Sequence, residues 1–277
     1  MIIAMKKPDV ASYLTSTGQV EGWFFPVDAY AIAMFDEIQN RENITGNLFE
    51  IGVHHGKTAI FLARTARIEE TVGVCDVFDS QDENIDRSGE GSRDLFVANM
   101  RRFGDLPPER LSIFSKRSAS LTADETTTRC RFFHIDGGHQ AADVFADLVT
   151  ADRAVLPDGV LSVDDVFNAN WPGVSEGFYN FLATRPDAFV PVFIGGNKVY
   201  LTRHDATMLY EKHWTEEGAP WQFFEPGPFT FEFKDWLGRR VLTAIRTAWV
   251  DLDPVAAARA HLGPASWKDR LRAVLGR

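Results

Sequence analysis

Apolar and polar positions along the chain follow two periods, one helical and one extended. Residues 26–41, PVDAYAIAMFDEIQNR, repeat apolar side chains at helical spacing with acids and glutamine on the other face, which predicts an amphipathic helix. The short apolar run NLFEIGV (47–53) predicts a strand, and HHGKTAIFLARTARI (54–68) a helix with Gly56 near its start. ETVGVCDVFD (70–79) reads as a second strand, SRDLFVANMRRFG (92–104) as a helix closed by Gly104, and RLSIFS (110–115) as a third strand. CRFFHID (130–136) is the fourth strand, AADVFADLVTADRAV (141–155) a helix, PDG a turn and VLSVDDV (160–166) the fifth strand, followed by a helix near 173–184. The rhythm then changes. AFVPVFIGG and NKVYLTRH read as two strands joined through Gly-Gly-Asn, a hairpin at 188–204.

Strands alternating with helices imply a parallel sheet with helices on both faces. The expected fold is α/β: a doubly wound, Rossmann-like, mostly parallel sheet that ends in an antiparallel hairpin. Three regions follow: an N-terminal helical segment (1–45), the alternating unit (46–204), and an extension (205–277) rich in aromatic residues and proline with a helical, locally basic end. A lid, a contact between copies of the chain or a packing arm would each suit the extension.

Composition narrows the function classes. With 277 residues, 45% hydrophobic and 25% charged, the chain has the make-up of an ordinary globular protein. A formal net charge of −10 argues against nucleic acid and anionic membrane surfaces as partners. Cys75 and Cys130 sit in apolar runs and are expected to be buried and reduced, as in a cytoplasmic protein. The first residues carry no apolar stretch long enough for a secretion signal, and no run approaches the roughly 20 apolar residues of a membrane span. A small-molecule partner is expected, and a homo-oligomer is compatible with the sequence.

Candidate chemistry gathers at the ends of the expected strands. FEIGVHHGKTA (49–59) is a strand, a glycine-containing turn and a helix start, where Gly52 and Gly56 let backbone approach a ligand at a helix N-terminus. It fits neither G-x-G-x-x-G nor the phosphate loop. Asp76 and Asp79 close the second strand about 25 residues further on, where an acid can accept ribose hydroxyls.

Glu50, Gly52 and Gly56 match the E-x-G-x-x-x-G form of the class I S-adenosylmethionine-dependent methyltransferases, which the chain resembles over roughly residues 45–204. The resemblance implies a seven-stranded sheet whose last strands form an antiparallel hairpin.

The fourth and fifth strands end in HIDGGH and VDD. As neighbours about 4.8 Å apart they would crowd Asp136, Asp164 and Asp165 at one crevice. Like charges at that range repel, and a hard divalent cation resolves the repulsion. Adjacent strand residues face opposite ways, so Asp164 and Asp165 reach one ion only if the strand ends near Val163 and the chain turns.

This pattern resembles the Mg²⁺-dependent macrolide sugar O-methyltransferases of the mycinamicin and tylosin type and the cephalosporin hydroxylase-like group. The resemblance implies Mg²⁺ on Asp136, Asp164 and Asp165, with His139 as general base. It places S-adenosylmethionine on Glu50, Gly52, Gly56, Asp76, Asp79, Ser118 and Asp136. It also brings in the loop element Q-x-x-N-x-D-x-S-G-x-G, matched by Gln81, Asn84, Asp86, Ser88, Gly89 and Gly91, as a cover over cofactor or acceptor. The implied reaction is O-methylation of a small-molecule hydroxyl, with a sugar or glycoside favoured.

Two other readings compete. His134, Asp136 and His139 together would suit Zn or Fe(II) in a hydrolase or hydroxylase. A binding module that keeps the cofactor fold without turnover is the other. The aromatic segments at 22–26 and 221–233 suit packing, or stacking against a sugar or aromatic acceptor.

Overall fold

A computed structural model describes residues 10–126, 129–215 and 229–246. Its helices are α1 (Val10–Ser16), α2 (Pro26–Arg41), α3 (Lys57–Thr65), α4 (Arg93–Phe103), α5 (Ala123–Thr126), α6 (Ala141–Ala154), α7 (Pro172–Thr184) and α8 (Thr207–Thr215). Its strands are β1 (Asn47–Ile51), β2 (Val72–Asp76), β3 (Leu111–Ser115), β4 (Cys130–Ile135), β5 (Val155–Val163), β6 (Val190–Gly195), β7 (Lys198–Thr202), β8 (Phe229–Trp236) and β9 (Arg239–Arg246).

The strands form one sheet in the order β3-β2-β1-β4-β5-β7-β6-β9-β8. β1 to β5 run parallel, and β7 returns antiparallel between β5 and β6. This is the class I methyltransferase arrangement, with nine strands rather than the expected seven. The two additional strands come from the extension. The sequence FTFEFKDW alternates with period two, and Leu237 and Gly238 turn it back with φ of 51° and 73°. β9 then pairs in parallel with β6, making this hairpin continuous with the sheet. The aromatic stretch up to residue 228 and the expected basic helical end lie outside the described residues.

Alternation along each strand separates two apolar layers. Leu48, Phe132, Val160 and Tyr200 face the layer under α1, α2, α3 and α8, while Phe49, Phe133, Leu161, Val199 and Leu201 face the layer under α6 and α7. Cys75 and Cys130 are buried free thiols. The expected PDG turn is instead a bulge within β5, where pairing jumps from Cys130↔Val155 to Phe132↔Val160. Proline inside a sheet is tolerated at such a break in the ladder.

The amino end of the sheet is clamped by Arg131, a fully buried guanidinium on β4. It meets Glu70 through two bonds of 2.8 and 2.9 Å, Gln39 Oε1 at 2.8 Å, and Asp36 of α2 at 2.9 Å. This planar fork fits carboxylate geometry as an ammonium would not. Removing one member of a buried ion network leaves uncompensated charge. Arg131→Met is expected to lower the unfolding free energy by about 3–5 kcal/mol, read from urea denaturation.

Candidate active site

The carboxyl ends of β1, β4 and β5, with the amino end of the antiparallel β7, carry two polar rows across the face covered by α2. In the first, Glu50 pairs with His134, His134 with Ser162, and Ser162 with Tyr200, all buried in successive strand register. Two residues on, alternation brings Gly52, Asp136, Asp164 and Lys198 to the same face. The ladder continues past the strand ends, with Asp136 N donating to Ile51 O at 2.8 Å and Asp164 N to Ile135 O at 2.9 Å. Lys198, buried at the start of β7, donates to Asp164 Oδ2. Asp28 of α2 closes the group from above. It is fully buried, accepts from Phe25 N at 3.1 Å, and leaves Oδ1 without a partner.

Burial dominates the charge states here. It raises Asp28 to about 6 despite Lys198. It pushes Glu50 well above the usual carboxyl range, helped by Asp136, and pushes His134 well below the usual imidazole range, helped by Lys198. The Glu50–His134 contact, 3.0 Å at Nδ1, therefore favours neutral partners. Asp136 is raised by burial and by Asp165, with Lys198 opposing.

The second acid of the VDD sequence leaves this face. β5 ends at Val163, and Asp165 takes a left-handed φ of 59° that turns its side chain into the cleft. Asp165 Oδ1 accepts from Asn168 at 2.9 Å and from Asn197, and Oδ2 lies 3.3 Å from His139 Nε2. The other ring nitrogen, Nδ1, is 3.2 Å from Asp86 Oδ2, which also accepts the His139 backbone N–H. Trp171 stacks on the ring at 4.2 Å. Burial opposes protonation of His139, but Asp165, Asp136 and Asp86 outweigh it and raise its pKa above the ordinary value.

The glycine turn completes the cleft. Gly52 has φ of 79°, and a Cβ there would stand 1.8 Å from Asp136 O, so only glycine lets β1 and β4 finish side by side. Asp76 holds the turn, accepting from Val53 N (2.7 Å), His54 N (2.8 Å) and Phe78 N (2.6 Å). The loop after β2 is knit by its own amides, with Asn84 donating to Gln81 Oε1 at 2.9 Å and to Gly89 O at 2.7 Å. The whole encloses about 560 Å³, within the range of small-molecule sites.

Of the residues expected from sequence, Glu50, Gly52, Asp76, Ser118, Asp136, His139, Asp164 and Asp165 line this one cleft, as do all six matched positions of the loop element. Gly56 caps the N-terminus of α3 at the edge of the turn. Asp79 stands apart from the lining and accepts from Arg93 N at 3.2 Å, which leaves Asp76 as the acid that faces the cleft. Ligand atoms of Asp136, His139 and Asp165 lie within 4.8 Å of one another, and so do those of His134, Asp136 and Asp164. His134 and His139 thus fall in separate groups, and the three-ligand hydrolase centre is not assembled among the described residues. Sequence reasoning missed Lys198, Asp28, Trp171, Asn168 and Asn197. Lys198 had a signal: it is the charged member of an otherwise apolar strand run, on the same face as Tyr200.

Comparison with known proteins agrees with this geometry. Residues 49–166 match the family model described as a methyltransferase domain. The solved structure of the O-methyltransferase NovP superposes with a TM-score of 0.53 at 19% identity, covering 64% of this chain and 80% of NovP. The SAH-bound Podospora anserina methyltransferase PaMTH1 gives 0.50 at 13% identity, covering 72% of this chain and 89% of its own. No curated protein sequence matches. No helix among the described residues is long and apolar enough to cross a membrane.

Behind the cleft, Asp147 of α6 is sealed against Gly137, whose added Cβ would come within 2.8 Å of Oδ2. Burial raises its carboxyl from 3.8 to about 7, against the lowering effects of Ser118 and Arg117. The folded chain holds this proton where the unfolded chain releases it. The stability this group confers is complete below about pH 4 and is lost as pH rises through about 7. Asp147→Asn keeps the shape without the titration. Its stability relative to wild type is expected to climb between about pH 5 and pH 8, and paired urea unfolding curves at the two pH values check this.

Proposed function

We propose that this protein, whose residues 49–166 match the family model described as a methyltransferase domain, is an S-adenosylmethionine-dependent O-methyltransferase acting on a small-molecule hydroxyl with the help of a divalent cation. The observation that carries the reading is His139. It is fixed between two carboxylates, beside an acidic cluster, in the same cleft as the glycine turn.

The residues present fit both groups. For the cofactor, Gly52 and Gly56 give backbone access at the start of α3, Ser118 and Asp136 line the same space, and Glu50 is the buried acid beneath it. Asp76 spends three acceptor positions on backbone N–H groups; an ionised carboxylate offers about four, which leaves one for a ribose hydroxyl. For the cation, Asp136 is raised by burial and a neighbouring like charge, the state in which a carboxylate gains most from a hard ion. When bound, the cofactor supplies an electrophilic methyl group and the cation lowers the pKa of an acceptor hydroxyl.

The chain's own residues do the rest. Asp86 occupies Nδ1 of His139, and Nε2, which lies 3.3 Å from Asp165 Oδ2 on the side of the acidic cluster, is the nitrogen that would take the hydroxyl proton when that carboxylate is drawn to the cation. The imidazolium that results is stabilised by Asp86 and Asp165. Trp171 fixes the ring plane by stacking. Around the mouth, the amides of Asn168, Asn170 and Asn197 and the faces of Trp23 and Trp171 offer hydrogen bonds and stacking. That mixture supports a sugar or glycoside as the acceptor class.

Calorimetric titration with S-adenosylmethionine tests the reading: saturable binding is expected, and no binding refutes it. His139→Ala is expected to lower kcat by about 10²–10⁴-fold while cofactor affinity stays close to wild type. Equal loss of both would assign His139 a structural role instead.

A further inference from the structure

The acidic cluster contains two groups of side chains that could each hold a cation, and they share Asp136. The inner one is formed by His134, Asp136 and Asp164, and the outer one by Asp136, His139 and Asp165. They differ in what already sits in them. Lys198 is 1% exposed, and its Nζ donates to Asp164 Oδ2. It thus pairs one of the three inner ligands directly. In the same polar cluster, His134 Nε2, Glu50 Oε2 and Asp28 Oδ1 are buried without hydrogen-bond partners. Polar atoms left open in this way mark a space built for a charged occupant.

We infer that Lys198 is a tethered cation that fills the inner site, and that the divalent ion of the proposed reaction is confined to the outer site on Asp136 and Asp165. This rests on the metal-assisted reading above, and it divides the three carboxylates that the sequence pattern groups together. An ammonium is a compact point charge that can stand where a metal ion would. Like charges in so small a volume repel, so the resident ammonium excludes a second ion from Asp164. Lys198 cannot leave, because its buried charge has no other outlet. The divalent ion then has two protein carboxylates. A hard ion that prefers six oxygens keeps several positions for water and for acceptor oxygens. Asp165 is placed to hold such an ion, since Asn168 and Asn197 pin Oδ1 while Oδ2 faces the cleft beside His139.

The test uses the full chain and Mn²⁺, with free ion measured by electron paramagnetic resonance and no turnover required. Wild type is expected to bind one ion. Asp165→Asn keeps the turn, since asparagine tolerates the left-handed φ, and is expected to weaken binding by at least about 100-fold. Lys198→Met preserves length without charge and is expected to admit a second ion, seen as two Mn²⁺ per chain with spin–spin broadening. Adding Asp164→Asn to Lys198→Met should return the count to one. Three results overturn the proposal: no Mn²⁺ bound by wild type, a Lys198→Met protein that still holds one ion, or Asp165→Asn binding Mn²⁺ as wild type does. Should Lys198→Met not fold, Asp164→Asn takes its place: Mn²⁺ affinity close to wild type supports the proposal, and loss of the ion overturns it. Each of these results leaves S-adenosylmethionine binding to its own titration, so failure of the metal assignment is distinguishable from failure of the methyltransferase reading.

Discussion

Crowding of acids around a single ammonium is the constraint from which this site takes its form. Glu50, Asp136, Asp164 and Asp165 converge at the carboxyl ends of three strands, Asp28 joins them from α2, and Lys198 is the buried cation among them. Each acid resolves the repulsion differently. Burial raises the pKa of Glu50 and of Asp28, so each gives up its proton less readily than an exposed carboxyl. Asp164 pairs directly with Lys198, and Asp165 pairs with His139. Asp136 has no such exclusive partner; it is shared between the inner and outer groups. The charge that remains to be neutralised therefore lies at the outer edge, facing the cleft and beside the imidazole.

The backbone makes that convergence possible at two places. Gly52 lets β1 and β4 end in contact, since any side chain would strike Asp136 O. Asp165 adopts a left-handed φ, so consecutive acids on one strand serve two different neighbours. At the other end of the sheet the same chain buries Arg131 in a network of ion pairs and hydrogen bonds with Glu70, Gln39 and Asp36. The contrast is physical. The amino end offsets its buried charges with opposite ones, Asp36 and Glu70 against Arg131 and Arg67, whereas the carboxyl end leaves His134 Nε2, Glu50 Oε2 and Asp28 Oδ1 open. Unsatisfied buried groups cost stability, and they concentrate where ligands are handled.

Much of this was legible in the sequence, and the gaps have identifiable causes. Apolar runs of β-branched and aromatic residues revealed the parallel strands because those strands are buried on both faces and carry no competing signal. HIDGGH and VDD stood out because acids at the ends of such runs are conspicuous. The hairpin at 229–246 was obscured by its neighbours: FTFEFKDW alternates cleanly, but it follows a stretch of aromatics and proline and reads as one tail with it. Asp28 was invisible for a related reason. In PVDAYAIAMFDEIQNR its position looks like the polar face of an amphipathic helix, yet Asp28 and Gln39 are both fully buried. Helical periodicity locates a polar stripe but cannot say whether water or a polar strand row lies opposite it. Lys198 belongs to the same class of omission, since its partner Asp164 is distant in sequence and adjacent only through the antiparallel return of β7.

The loop after β2 shows how the site joins parts of the chain that the strand pattern does not. Asp86 comes from that loop, yet it accepts from the His139 backbone and faces Nδ1 of the same ring. One carboxylate thereby ties the loop to the turn after β4 and fixes one nitrogen of the ring, while the other faces Asp165. A loop retained by its own amides and by this single carboxylate can cover the cleft without forming part of the apolar core. The residue that ties the loop to the turn after β4 is thus one of the two carboxylates that flank the imidazole, so the place of the loop and the orientation of the ring are linked through one side chain.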